Sequence, residues 1–241
     1  MSRIGKRYHI IKFSEEELKT IEECCSSVEE EKKNFGSEYF RSSTSKGRSD
    51  KKEEKDPYRI SDIYTIGGDN ILESLLMEKV QIVNKESGWN LDITRVQKPQ
   101  HSEYPVGGHY DWHTDQHILP VNEEVRKISM TLFLNNDDEY EGGELDLEIF
   151  GPAKDHNEET KVYRSFHCLP SGEGGIPMVN GKPMANEGCI PEEKDENRYV
   201  SFKYKKGIAV FFQSCDWHRV RPVTSGTRIA LVGWFAGPPY V

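Results

Sequence analysis

In the stretch GGHYDWHTDQH, His113 and Asp115 stand two residues apart, a spacing that on a strand directs both side chains to one face. They can converge on one ion. His218, far along the chain, is compatible with a facing strand and completes a set of two imidazoles and one carboxylate. Such a set binds Fe(II) across one octahedral face and leaves the remaining positions open to other ligands. Ten residues after His218, Arg228 opens the run RIALVGWF, where a guanidinium can pair bidentately with the far carboxylate of a dicarboxylic acid. Each group also has a plainer reading, as a packed strand histidine or a surface arginine in an ordinary ion pair.

The elements that must position these groups are legible in outline. Tyr8 to Phe13 reads as a strand, and Ser14 with Glu17 forms a capping box ahead of Leu18, Ile21, Cys25 and Val28 at helical period. Residues 29–56 are rich in Glu, Lys, Ser and Arg and read as a solvated or mobile connection. Asp69 or Asn70 caps a second helix bearing Leu72, Leu76, Val80 and Val83, with Gly88 placed to end it. From Trp89 the pattern turns to short strands: Leu91 to Val96, His109 to Asp115, Ile128 to Leu134, Glu144 to Ile149, Val200 to Lys203, Ile208 to Phe212 and Arg228 to Phe235. Two helices followed by several short strands imply a mainly β, α+β architecture: a double-sheet core with the N-terminal helices packed on its outside.

A chain of 241 residues buries one sizeable core, and no internal repeat or second core is visible. The expected organisation is a strand, helix and polar connection over 1–56, then one domain over 57–241 with an insertion at about 152–197. That Gly- and Pro-rich stretch holds one hairpin signal, Asn180-Gly181. The net charge of -9 argues against a nucleic-acid partner, which calls for a basic face. Between residues 137 and 198 stand 16 acidic and 6 basic side chains, a solvated projection or an acidic collar for a basic polypeptide. Five cysteines without C-x-x-C spacing read as reduced thiols. No apolar run reaches bilayer length and the N-terminus lacks signal-peptide features, so the expected location is cytoplasmic or otherwise intracellular, with no membrane partner.

YPVGGHYDWHTD (Tyr104 to Asp115) resembles the tyrosine, paired-glycine and H-x-D stretch of the prolyl 4-hydroxylase-like Fe(II)/2-oxoglutarate-dependent dioxygenases. RKISMTLFLN (Arg126 to Asn135), EGGELDL (Glu141 to Leu147) and KGIAVFFQSCDWHRVRPVTSGTRIALVGWFAGP (Lys206 to Pro238) continue the likeness in family order, and RISDIY (Arg59 to Tyr64) is similar too. Four ordered blocks are more specific than any single motif. The resemblance implies a double-stranded β-helix, a jelly-roll variant, with the metal near one mouth.

Carried over by position, the resemblance implies Fe(II) on His113, Asp115 and His218, and 2-oxoglutarate on Arg228 and Tyr104, with Thr131 and Val220 lining the pocket. Tyr110, Arg126 and Trp234 stand where relatives touch substrate, though packing or surface charge accounts for them equally. O2 is the second co-substrate and ascorbate a reductant. The implied reaction is hydroxylation of an unactivated C–H bond, of a prolyl residue in a peptide or protein before free proline or another side chain. Animal collagen hydroxylases usually place Lys where Arg228 stands, which weakens a collagen-like specificity but not the co-substrate. Asp115 argues against halogenation. Repair oxygenases for alkylated nucleic acid look for an arginine at 234, where this chain has Trp. A non-catalytic jelly-roll binding module is the rival from another class.

Overall fold

The computed structural model describes residues 6–35, 59–66, 70–116, 120, 123–148 and 199–240, together with the backbone pairing of two short strands inside 149–198. The connection expected over 29–56 lies outside the described residues beyond Phe35, as do most of the acidic insertion and the extreme termini. Strand β1 (Tyr8–Lys12) leads into helix α1 (Glu15–Phe35). The capping box closes as expected: the Ser14 N–H donates to Glu17 Oε2 at 2.8 Å and the Glu17 N–H to Ser14 Oγ at 3.2 Å. The helix runs to Phe35, past the boundary expected near residue 29, because Glu and Lys are good helix formers even where no apolar stripe asks for burial.

Strands β2 (Arg59–Ile60) and β3 (Asp62–Thr65) precede helix α2 (Asn70–Glu86). Gly88, at φ +72°, turns the chain out of α2, a conformation glycine adopts at no steric cost. Asn84 then clamps the exit, its side chain donating to the Leu91 carbonyl at 2.8 Å and accepting from the Leu91 N–H at 2.9 Å. That loop leaves only Arg95–Val96 as strand β4, where the sequence predicts Leu91 to Val96.

The sheets follow: β5 (Gln100–Tyr104), β6 (His109–His113), β7 (Val125–Phe133), β8 (Tyr140–Gly142) and β9 (Leu145–Glu148). On either side of the expected Asn180-Gly181 turn, which lies outside the described residues, β10 (Met178–Val179) pairs antiparallel with β11 (Lys182–Pro183). Then come β12 (Tyr199–Phe202), β13 (Ile208–Gln213), β14 (His218–Val220), β15 (Val223–Gly226) and β16 (Arg228–Gly237). A major sheet runs β1-β13-β7-β16-β5-β3 with β4 attached to β16, and a minor sheet runs β12-β9-β14-β6-β2. All pairings are antiparallel. This is the mainly β, double-stranded β-helix architecture with two outer helices.

The major sheet is buried on both faces, so its strands read as near-continuous apolar runs rather than alternating ones. The pleat still sorts them. On β7, Ile128, Met130 and Leu132 face the helices and pack with Ile21, Leu72, Leu76, Val80 and Val83, while Ser129, Thr131 and Phe133 face the other way. On β16, Leu231 and Phe235 join the helix-side core, and Arg228, Ala230, Val232 and Trp234 face the interior between the sheets. A second core of Tyr104, Phe133, Leu145, Leu147, Phe202, Val210, Phe212, Val220 and Val223 fills that interior. Lys79 of α2 pairs with Glu17 in the first turn of α1, tying the helices together. Among the described residues no helix is long and apolar enough to cross a membrane.

Helix docking on the major sheet therefore carries stability, not chemistry. Leu76→Ala, at a fully buried position of α2, is expected to cost about 2–5 kcal/mol in urea unfolding. Ile71→Ala on the same helix, where the side chain is 66% exposed, should stay within about 0.5 kcal/mol. Equal losses at both sites would contradict this packing.

Candidate metal and co-substrate centre

The first two histidines meet because β6 and β14 are antiparallel neighbours whose register pairs His113 with His218. Each ring then fixes its own tautomer. His113 Nδ1 lies 2.7 Å from the Asp111 carbonyl and His218 Nδ1 lies 3.0 Å from the Asp216 carbonyl. A carbonyl can only accept, so both Nδ1 atoms carry the proton and both Nε2 lone pairs stay free for a metal. The two Nε2 atoms converge on one carboxylate, His113 at 3.8 Å from Asp115 Oδ1 and His218 at 3.4 Å from Oδ2. Donor atoms of all three residues lie within 4.8 Å of one another. The expected convergence holds.

The expected route to it does not. Strand β6 ends at His113, so Asp115 is not the next same-face strand residue but sits in the bend beyond. It is held there because the Ser214 carbonyl accepts the N–H groups of both Asp115 and Gln116 at 2.9 Å. The carboxylate is further fixed by the Ser129 hydroxyl, which donates to Oδ2 at 2.7 Å. Burial would raise the Asp115 pKa, but the facing His218 and His113 imidazoles and the Arg126 guanidinium outweigh it and hold the carboxyl well below the usual range. An ionised carboxylate faced by two imidazole Nε2 atoms is a donor set that takes a divalent cation.

Arg228 lies in the interior, 1% exposed, with its Cα paired to Tyr104 across β16 and β5. Its guanidinium stands 5.1 Å from the Tyr104 ring and 5.3 Å from the Phe133 ring. Burial lowers its pKa, with Tyr104 and Tyr140 opposing, yet an arginine stays charged. Its Nε and Nη2 meet no acceptor, and the Tyr140 hydroxyl stands beside the guanidinium as its polar neighbour. Each such orphan costs about 1–3 kcal/mol, so this end of the interior is built for an anionic acceptor. Gly143, at φ +66°, makes the room: a Cβ there would stand 3.0 Å from Arg228 Cδ and 3.2 Å from Tyr140 Cε2. The residues present thus fit an iron ion at one end and a dicarboxylate reaching Arg228 at the other.

Thr131 and Val220 are both buried and line the interior. Tyr110 stacks on His113 with ring centroids 3.5 Å apart and carries Arg59 over its own ring at 4.4 Å, so one face of it is committed to positioning a ligand. Arg126 lies 4.1 Å over the Trp234 ring and donates through Nε to Gln97 Oε1 at 2.7 Å, which joins these two expected residues next to Asp115. Sequence reasoning missed Ser129, Ser214, Phe133 and Tyr140. Ser129 had a signal, as a polar position two residues before Thr131 in an otherwise apolar strand; Ser214 had none, since its role is set by a loop.

Burial and the neighbouring His218 hold the His113 pKa well below 6.5, against the pull of Asp115. Unfolding restores the ordinary value, so below about pH 6.5 the unfolded chain takes a proton that the folded chain refuses. His113 thus favours the metal-free fold above that pH, and the contribution fades as pH falls. In urea unfolding of metal-free protein between pH 7 and 5, His113→Gln should flatten the decline by up to about 1.4 kcal/mol per pH unit. An unchanged slope would contradict a neutral, buried His113.

Known proteins are similar to this chain in sequence and in fold. The chain is 29% identical over 143 residues to a PKHD-type hydroxylase of Psychrobacter sp. (strain PRwf-1), covering 58% of this chain and 38% of the relative. It spans about two fifths of the length of the curated relatives it matches. In three dimensions it is similar to a prolyl-4-hydroxylase of Pseudomonas putida (TM-score 0.54, 14% identity, 95% of this chain and 91% of that one). It is also similar to a prolyl hydroxylase of Trichoplax adhaerens in complex with a hypoxia-inducible-factor peptide fragment (TM-score 0.55, 18% identity, 95% and 83%). The 2OG-Fe(II) oxygenase superfamily model matches residues 99–236, a stretch that holds His113, Asp115, His218 and Arg228 together, and on that match the chain belongs to this superfamily, whose members use Fe(II), 2-oxoglutarate and O2.

Proposed function

We propose that this chain is a Fe(II)- and 2-oxoglutarate-dependent dioxygenase that hydroxylates a prolyl residue within a peptide. The observation that carries the reading is the pairing of a two-histidine, one-carboxylate cluster with a buried arginine whose Nε and Nη2 meet no acceptor, inside one barrel. His113, Asp115 and His218 hold the metal. Arg228 grips the far carboxylate of 2-oxoglutarate, with the Tyr104 and Tyr140 hydroxyls as further donors. Phe133, Thr131 and Val220 shape the pocket and keep water out. Bound together, iron and 2-oxoglutarate supply the oxidising power drawn from O2, the co-substrate leaving as succinate and CO2.

The substrate half rests on the other end of the interior. Trp234 offers an aromatic face of the kind that suits a proline ring, and its buried indole N–H has no hydrogen-bond partner. Arg126, over that ring, keeps guanidinium donors for a peptide carbonyl. The prolyl hydroxylases among the similar structures, one of them with a peptide bound, support the same choice.

Arg228→Ala should weaken 2-oxoglutarate binding by about 3 kcal/mol, on the order of a hundred-fold, while iron affinity measured by the same calorimetry moves little. Equal 2-oxoglutarate affinity in both proteins would sink the anchor assignment. For the substrate, a broad panel of proline-containing peptides, free proline and buffer can be compared for succinate release coupled to a gain of one oxygen by mass spectrometry. Coupling with peptides is expected; coupling with free proline alone would overturn the peptide assignment and leave the dioxygenase reading standing.

A further inference from the structure

Asp115 sits beyond the end of β6, where no ladder hydrogen bond fixes its direction. Two serines do so instead. Ser129 Oγ is 2.7 Å from Asp115 Oδ2, and Ser214 Oγ is 2.9 Å from Ser129 Oγ; both serines are fully buried. The direction of this relay follows from its acidic end. An ionised carboxylate only accepts, so Ser129 must donate its proton to Oδ2 and accept in turn from Ser214. Ser214 also holds the main chain of the same residue, its carbonyl accepting from Asp115 and its own N–H donating to the Lys127 carbonyl at 3.0 Å. Main chain and side chain of Asp115 are thereby referred to one residue, four positions before His218. Each carboxylate oxygen faces one imidazole, Oδ2 at 3.4 Å from His218 Nε2 and Oδ1 at 3.8 Å from His113 Nε2, but only Oδ2 receives a hydroxyl.

Resting on the iron reading above, we propose that the Ser214–Ser129 relay is a positioning device that restricts Asp115 to binding the metal through the single oxygen Oδ1. The consequence is stereochemical. A carboxylate with both oxygens available can chelate, and with two imidazoles it would then fill four of six octahedral positions. A chelating co-substrate takes two more, and none remains for O2. One-oxygen binding leaves that position open. A hydrogen bond to Oδ2 both fixes the carboxylate plane and draws electron density from the oxygen that would otherwise chelate.

The test uses the full chain loaded with Co(II), whose visible absorption responds to the geometry of its ligands, alongside thermal melts of the metal-free proteins as a folding control. Ser129→Ala should weaken Co(II) binding about 10- to 100-fold and change its visible spectrum. Ser214→Ala should move both readouts the same way but less, and the double variant should match Ser129→Ala, because Ser214 acts only through Ser129. Ser129→Thr, which keeps the donor, should restore affinity and spectrum. Wild-type Co(II) affinity and spectrum in Ser129→Ala, or additive losses in the double variant, would overturn the relay. Should Ser129→Ala not fold, an unchanged spectrum and affinity in Ser214→Ala overturns it as well. Failure of the wild type to bind Co(II) or Fe(II) at all would instead sink the iron reading itself.

Discussion

Everything at the centre depends on one line of the β-ladder, the register that sets His113 opposite His218 across β6 and β14. Side chains alternate along a strand, so a slip of one residue in either strand would turn its imidazole away from the interior. The neighbouring ladder guards against it. On the strand next to β14, Asp146 is fully buried and its Oδ2 accepts from Arg219 Nε at 2.8 Å and Arg221 Nε at 2.7 Å, while Ser201 donates to Oδ1 at 2.5 Å. Those two arginines flank Val220 and lie on the face opposite His218. A buried carboxylate without these partners would be strongly destabilising, so the slipped registers are penalised on both faces of the minor sheet at once.

The same economy of placement governs the major sheet. Arg228 can be buried because the residues before and after it leave room: Gly143 is glycine where a side chain would strike the arginine stem, and the rings of Tyr104 and Phe133 cover the guanidinium without competing for its protons. Ser129 and Thr131 bring hydroxyls into the interior without the bulk that would close it. The interior is polar in a few chosen places, and each of those places faces a ligand or a residue that holds one.

Much of this was legible in the sequence. Period and capping signals located α1, α2 and the long strands, since a helix or a strand advertises itself by repetition. The ordered blocks located His113, Asp115, His218 and Arg228, since their chemistry restricts the residue types. What stayed hidden depends on contacts between distant parts of the chain. Asp115 leaves the strand because of Ser214, a hundred residues away, and nothing near either residue announces the other. Tyr140 reaches Arg228 only because β8 and β15 pair and turn the chain back. Strands as short as β2, β8 and β14 escape notice because two or three residues carry no period; they are strands by virtue of their neighbours.

The alternation along β7 and β16 has a consequence for how such a protein can change over generations. Alternate residues of these strands serve two masters: Ile128, Met130, Leu132, Leu231 and Phe235 pack against the helices, while Ser129, Thr131, Phe133, Arg228 and Trp234 look inward. A substitution at an inward position alters what the interior accepts while the helix-side packing stays in place. Substrate preference can therefore drift through single substitutions without passing through an unfolded ancestor, and the helices act as a reserve of robustness for those lining positions, Trp234 among them, that hold neither Asp115 nor the co-substrate.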